Sequence, residues 1–300
     1  MSAKVRILVE FDVRLGDFII ELPILHALRD ELRPRSVETI VHARCAGLLE
    51  DYDWVERVHV KDGTYRSRIA PIRSGLREPF DLFIYIRRNP AIKLTWLLVR
   101  TRKRVGAEHF DPAKLEAGVV LHRYSILGAV LPGDLPPPRT RIELGPHRER
   151  EAMREAGFAD GSQVLCVGPG ASTPLKCWPL ERFDALVRNL GRGFDAVAVL
   201  GSPAEAEMCR QLADLTGGVS LTHLSLAHTA ALLSQARLYV GNDSGLSHLA
   251  AAQGCPAMSI GLKPEYYRPW NGYAVRGDPA QLSIESVLDA LRQESLIPDR

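Results

Sequence analysis

The chain has 300 residues, 46% hydrophobic and 25% charged, which is enough apolar material for two cores of ordinary domain size. A formal net charge of +2 is too small to mark a nucleic-acid binder. Five cysteines, odd in number and without a CxxC pair, argue against a disulfide framework and a structural zinc site.

The start, MSAKVRILVEFD, is too soon charged for a signal peptide, and the longest apolar stretch, around Leu94 to Val99, is too short to cross a bilayer. A cytoplasmic chain with at most peripheral membrane contact is expected. Val5 to Phe11 reads as a strand that runs into a turn at Asp12 to Gly16, and from Phe18 to Leu32 apolar residues follow a helical period. Gly16 and Asp17 stand where that helix begins. A carboxylate there is favoured electrostatically and needs no catalytic explanation by itself. Val37 to His42 is a second strand, followed by a helix through Leu48 and a strand from Val55 to Val60. Asp51 and Asp53 have a spacing that can hold a divalent ion. They lie in a polar link with no phosphate-binding feature beside them, so they read as surface and no metal site is expected.

Tyr65 to Glu78 is rich in arginine, with Arg66, Arg68, Arg73 and Arg77, and reads as a loop. With Arg87, Arg88, Arg100, Arg102, Lys103 and Arg104 it makes the first half locally basic, which suits a solvated face or an anionic partner. Phe80 to Ile86 is another buried strand, Leu94 to Val99 belongs to a helix, and Arg104 to Gly106 leads a strand end. The run PGDLPPPRTR, Pro132 to Arg141, can be neither helix nor central strand, because its prolines remove donors and fix an extended path. It divides the chain into domains 1–141 and 142–300. After it the strand–helix alternation restarts, with a helix from Glu149 to Ala156 and a strand from Gln163 to Val167.

The loop that follows, VGPGASTPLKCWPLERF, has Gly168 and Gly170 but Thr173 and Pro174 where a dinucleotide fingerprint needs its third glycine, which excludes a nicotinamide site. Its hydroxyls at Ser172 and Thr173 and its cation at Lys176 suit an anion. Ala196 to Leu200 is a buried strand, and Glu205 behind it could accept bonds from vicinal hydroxyls or serve as a helix-start charge. Leu224 and Ser225 begin a helix to Leu233.

In ARLYVGNDSGLSHLAAAQGCPAMSIG a short apolar run stops at Gly241, and helical spacing follows to Gly254 with a second apolar run behind. So short a crossover makes the two strands parallel and opens the turn Asn242 to Gly245 at the carboxyl edge of a buried sheet. Two residues able to cap a helix precede Gly245, and the first amides of that helix then point at a space that attracts phosphate. Asp243, Ser244 and His248 would share the pocket. Beyond Gly261, KPEYYRPWNGY reads as an aromatic loop and Ile284 to Leu291 as a last amphipathic helix.

Three segments together resemble the heptosyltransferase group, glycosyltransferase family 9: VRLGDFIIELPILHAL, PGASTPLKCWPLERF and VGNDSGLSHLAAAQGCP. LGSPAEAE and LSLAHTAALLSQARL fit the same order. The resemblance implies an α/β GT-B fold, two Rossmann-like domains with parallel sheets facing a central cleft, the first for acceptor and the second for a nucleotide-sugar donor. It implies that Asp17, of the GD pair, is the general base and that Lys176, before the WP pair, binds donor phosphate with Ser172 and Thr173. Glu205 matches the ribose contact, Leu224 an apolar residue against the base, and Asp243, Ser244, Gly245 and His248 the donor-binding DTGxxH motif, with Ser244 in place of the usual threonine. The arginine-rich insertion has no counterpart there.

The reaction implied is an inverting, metal-independent transfer of a sugar, heptose from ADP-heptose by family expectation, to an acceptor hydroxyl of a lipopolysaccharide core or related glycan, with no cofactor beyond the co-substrate. The basic first half would then meet an anionic acceptor. The same chemistry on a small-molecule or protein acceptor, a nucleotide-sugar epimerase, and a non-catalytic sugar-nucleotide binder are the alternatives.

Overall fold

Short apolar runs alternate with helical periods along the chain, and most runs become buried parallel strands because the helices between them cover both sheet faces. The computed structural model describes residues 5–86, 97–190, 193–261 and 265–298. The chain divides into two compact units, Met1–Glu143 and Leu144–Arg300.

The first unit holds β1 (Arg6–Glu10), β2 (Ser36–His42), β3 (Arg57–Lys61), β4 (Phe80–Tyr85) and β5 (Thr101–Gly106) in the order β3-β2-β1-β4-β5, all neighbours parallel. The second holds β6 (Val164–Gly168), β7 (Ala196–Val199), β8 (Val219–Ser220), β9 (Leu238–Asn242), β10 (Ala257–Gly261) and β11 (Tyr273–Arg276). Its order is β11-β10-β9-β6-β7-β8, again all parallel. Outward from β1 and from β6 the strand order therefore reverses once in each sheet, and the reversal opens a crevice at the carboxyl ends. The core of the second unit is built on one sheet face by Leu165, Val167, Val240, Met258 and Ile260 against Phe183, Leu212 and Leu291 of the covering helices. Each such fully buried side chain stabilises the unit by about 1.5–3 kcal/mol.

Two features differ from the reading of the sequence. Strands β8 and β11 extend the second sheet at its edges, where the residues are too few or too mixed to announce a strand. The arginine-rich stretch is a helix, Tyr65–Arg77, and not a loop. The Thr64 hydroxyl caps it by accepting from the Ser67 N–H at 3.2 Å, and arginine is a good helix former. Its inner face is held by a buried polar network. Arg6 pairs with Glu38 at 2.5 Å and donates to Ser74 Oγ at 2.7 Å, while the Ser74 hydroxyl donates to Glu38 at 2.8 Å and His59 meets its other oxygen at 2.5 Å. Burial would raise the Glu38 pKa, but the hydrogen bonds from His59 and Ser74 and the charges of His59 and Arg6 outweigh it and hold the carboxyl at about 2.

The prolyl linker is docked on the first unit. The Arg139 carbonyl can only accept, so His26 Nδ1 carries the proton of their 2.8 Å bond, and Nε2 accepts from the Tyr52 hydroxyl at 3.1 Å. The Tyr52 oxygen in turn accepts the Glu143 N–H at 3.2 Å, and the Trp54 indole N–H donates to the Glu143 carboxylate at 2.8 Å. Tyr52 and Trp54 thus face inward in the segment that carries the Asp51-x-Asp53 spacing, and Asp53 is exposed. Among the described residues no three metal-binding side chains converge, and no helix is long and apolar enough to cross a membrane. Arg87, Arg88 and residues 94–96 of the expected helix lie outside the described residues.

Candidate active site

In the second sheet the strand order reverses between β6 and β9, whose pairing ends with Gly168 against Gly241. A Cβ on Gly168 would lie 2.1 Å from the Tyr239 hydroxyl, and one on Gly241 2.3 Å from it. Both positions therefore need glycine to leave room for this buried ring. Burial pushes the Tyr239 hydroxyl pKa up, so it stays protonated.

The loop leaving β6 carries Ser172 and Thr173, both exposed, and Lys176 at the end of a short 3-10 turn, Pro174–Lys176. Among the described residues no side-chain hydrogen bond or ion pair engages the Lys176 ammonium. The loop is anchored where it ends. Trp178 is buried, packs edge-on against Phe183 at 4.9 Å, and donates its indole N–H to the Leu282 carbonyl at 2.9 Å.

A second anchor comes from Asn242, which the sequence placed in the turn before the helix. It is instead the fully buried last residue of β9. Its Oδ1 accepts the Trp178 N–H at 2.9 Å and its Nδ2 donates to the Pro169 carbonyl at 2.6 Å, so one carboxamide closes both ends of the loop. The cap position of helix Gly245–Ala252 falls to Ser244, in extended geometry and without a side-chain cap bond. The Ser244 hydroxyl therefore does not cover the first amides, and the positive end of the helix favours an anion. Asp243, Ser244 and Gly245 are half-buried at this end, and His248, one turn in, is buried.

Glu205 closes the β7 side. Its Oε2 accepts from both the backbone N–H and the hydroxyl of Ser202 at 2.7 Å, a capping box, while its Oε1 fills the space where a Cβ on Gly170 would be, 1.9 Å away. The helix-start role is thus present, and one oxygen still faces the loop. Leu224, half-buried, follows β8 and precedes helix Leu226–Gln235, which Ser225 caps. All nine donor residues expected from the sequence, Ser172, Thr173, Lys176, Glu205, Leu224, Asp243, Ser244, Gly245 and His248, lie on segments that leave the carboxyl ends of β6, β7, β8 and β9. A small hollow beside Asp243, lined by Ser259, Gly261, Tyr267, Arg268 and Arg276, was not foreseen. Its floor exists because small residues end β10, and Glu265 pairs with both arginines at its rim.

In the first unit the order reverses between β1 and β4. Helix Leu15–Leu32 starts there, one residue before Gly16, and Asp17 sits half-buried in its first turn. Glu21, one turn on and fully buried, accepts the Asp12 N–H at 2.9 Å. Burial pushes Glu21 up to about 8; Arg123 and the Asp12 hydrogen bond oppose this, and the nearby charges of Asp12 and Asp17 add to it. It is a neutral acid near pH 7. The only trace of it in the sequence is a glutamate set between Ile20 and Leu22 inside an apolar helical period.

Residues 102–275 match the model of Glycosyltransferase family 9 (heptosyltransferase). The chain belongs to this family. It is a glycosyltransferase, and its relatives are heptosyltransferases. Lipopolysaccharide heptosyltransferase 3 of Escherichia coli is 28% identical over 87% of this chain and 85% of its own length. Among solved structures, E. coli ADP-heptose lps heptosyltransferase II superposes with a TM-score of 0.80 at 18% identity, covering 96% of this chain and 98% of that one. E. coli heptosyltransferase WaaC with ADP superposes with a TM-score of 0.71 at 18% identity, covering 97% and 98%. Those likenesses show the fold, two parallel-sheet α/β units of GT-B type.

Proposed function

We propose that the chain transfers heptose from ADP-heptose to a hydroxyl of a lipopolysaccharide core, inverting the anomeric carbon. The observation that carries this reading is the carboxyl edge of the second sheet, where a lysine ammonium, two exposed hydroxyls and the uncapped amides of a helix share one strand-order reversal. Such an edge is suited to a diphosphate. A family relative solved with ADP and a curated relative named for lipopolysaccharide heptose transfer support the choice of donor and acceptor.

In this reading the acceptor oxygen attacks the anomeric carbon, the bond from that carbon to the ADP oxygen breaks, and the acceptor proton passes to the Asp17 carboxylate. The departing ADP gains negative charge, which Lys176, Ser172, Thr173 and the amides after Ser244 stabilise without calling on a metal. The Glu205 oxygen that faces the loop takes the ribose hydroxyls, and Leu224 lies against the base. The reaction runs in the cytoplasm, where nucleotide sugars are made.

The test is calorimetry with ADP, ADP-heptose and uridine-diphosphate hexoses, followed by a product assay with a core acceptor and a chelator present. Binding of the adenine ligands alone, with equimolar ADP and heptosylated acceptor unaffected by the chelator, is the expected result. A sugar nucleotide altered in the absence of acceptor would overturn the reading in favour of an epimerase.

A further inference from the structure

The arginines of helix Tyr65–Arg77 take no part in the site described above. Arg66, Arg68, Arg73 and Arg77 are exposed, and the helix, YRSRIAPIRSGLR, contains no acid. Among the described residues no hydrogen bond or ion pair engages any of these four guanidinium groups. The acids around them are occupied. Asp62 accepts the Thr64 N–H at 2.8 Å, Glu78 pairs with Arg35, and Asp81 pairs with Arg102 at 3.1 Å.

The inner side of the helix is pinned through Ser74 and through Gly75, where a Cβ would lie 3.0 Å from the Arg100 backbone nitrogen. Its outer side therefore has a fixed aspect. Helical spacing sets Tyr65 and Leu76 in line with the half-buried Ile69 and Ile72, of which Ile72 packs against the core of this unit, and puts the arginines on the flanks of that line. Tyr65 is 78% and Leu76 61% exposed, and the segment that meets the helix at Arg100 adds Leu97 at 77% and Leu98 at 49%. Apolar side chains left in water at this density mark a contact surface. A site for a soluble anion needs converging cations and no such stripe, and a second copy would set the same uncompensated positive charge against itself.

We propose that this face docks on an anionic lipid bilayer, with the arginines among the headgroups and Tyr65, Leu76, Leu97 and Leu98 at the boundary with the acyl chains. The inference is independent of which sugar is transferred.

The test is co-sedimentation of the full chain with phosphatidylcholine vesicles, with and without phosphatidylglycerol, for the wild type, the Arg73→Glu/Arg77→Glu pair and the Tyr65→Ser/Leu76→Ser pair. Binding only to the phosphatidylglycerol vesicles is expected. Each basic residue near such a surface is worth about fivefold in affinity, so charge reversal should weaken binding by about 20-fold or more. The serine pair should weaken it by about tenfold at unchanged charge. Melting temperatures and ADP affinities of both variants should match the wild type. That readout also separates this inference from the proposed reaction, since vesicle binding without ADP binding would remove only the reaction. Equal binding to both vesicle types, indifference to both pairs of substitutions, displacement by millimolar inorganic phosphate, or a dimer that Leu76→Ser abolishes would each overturn the proposal.

Discussion

The two units share a strand order out from their first strands, yet their reversal points hold opposite chemistry. In the first, the edge after β1 gathers carboxyl groups: Asp12 buried, Asp17 half-buried in a helix start, and Glu21 buried and protonated. In the second, the edge after β6 and β9 gathers a lysine, hydroxyls and a helix N-terminus, stapled by Asn242. One topology therefore carries a carboxyl-rich edge and an edge with a lysine and helix amides, and the difference lies in the loops and helix starts that follow the strands. The buried ion network of Arg6, Glu38 and His59 belongs to neither edge and serves to fasten a covering helix.

The sharpest way to break this contrast is Asp17→Asn. With the proposed proton acceptor gone, the transfer rate should fall by about a thousandfold while the donor dissociation constant, measured by calorimetry, stays within a few fold. An equal loss of donor affinity would show that Asp17 is not the base.

On the opposite edge, Lys176→Ala should weaken donor binding by about a hundredfold. Asn242→Asp keeps an acceptor for the Trp178 N–H but sets an oxygen against the Pro169 carbonyl, so the loop loses one closure. It should raise the donor KM by about tenfold with kcat largely retained. Because Asn242 acts through the loop that carries Lys176, its effect in a Lys176→Ala background should be smaller than in the wild type. Strict additivity would mean that Asn242 holds up the fold and does not position the lysine.

The remaining effect concerns the neutral acid and is read on stability and not on turnover. The Glu21 pKa is raised from 4.5 to about 8 in the folded chain, so burial costs nothing below the lower value and the native state loses stability as pH rises toward the upper one. The loss runs at about 1.4 kcal/mol per pH unit inside that window. Glu21→Gln should flatten the dependence, compared by urea unfolding at about pH 5 and about pH 8. An unchanged slope would place the ionisation elsewhere.

Much of the molecule was legible without coordinates. Periodicity and turn chemistry are local properties, so the alternation of strands and helices, the restart after the prolyl linker and the loops that follow β6 and β9 could all be read along the chain. The helix at Tyr65–Arg77 was missed because its arginines signal solvent, and only the contacts of Ser74 and Gly75 reveal an inner face. Asn242 was read only as a turn residue, because its partner Pro169 lies 73 positions earlier and leaves no local sign. Glu21 gave little sign of its protonation, since burial and the proximity of Asp12 and Asp17 set it. Local pattern thus determined most of the elements and the position of the loops at each sheet edge. Strand order, the stapling of the loop and the charge state of the buried acid were decided by tertiary structure, because each depends on groups brought together by packing and not by neighbourhood in the chain.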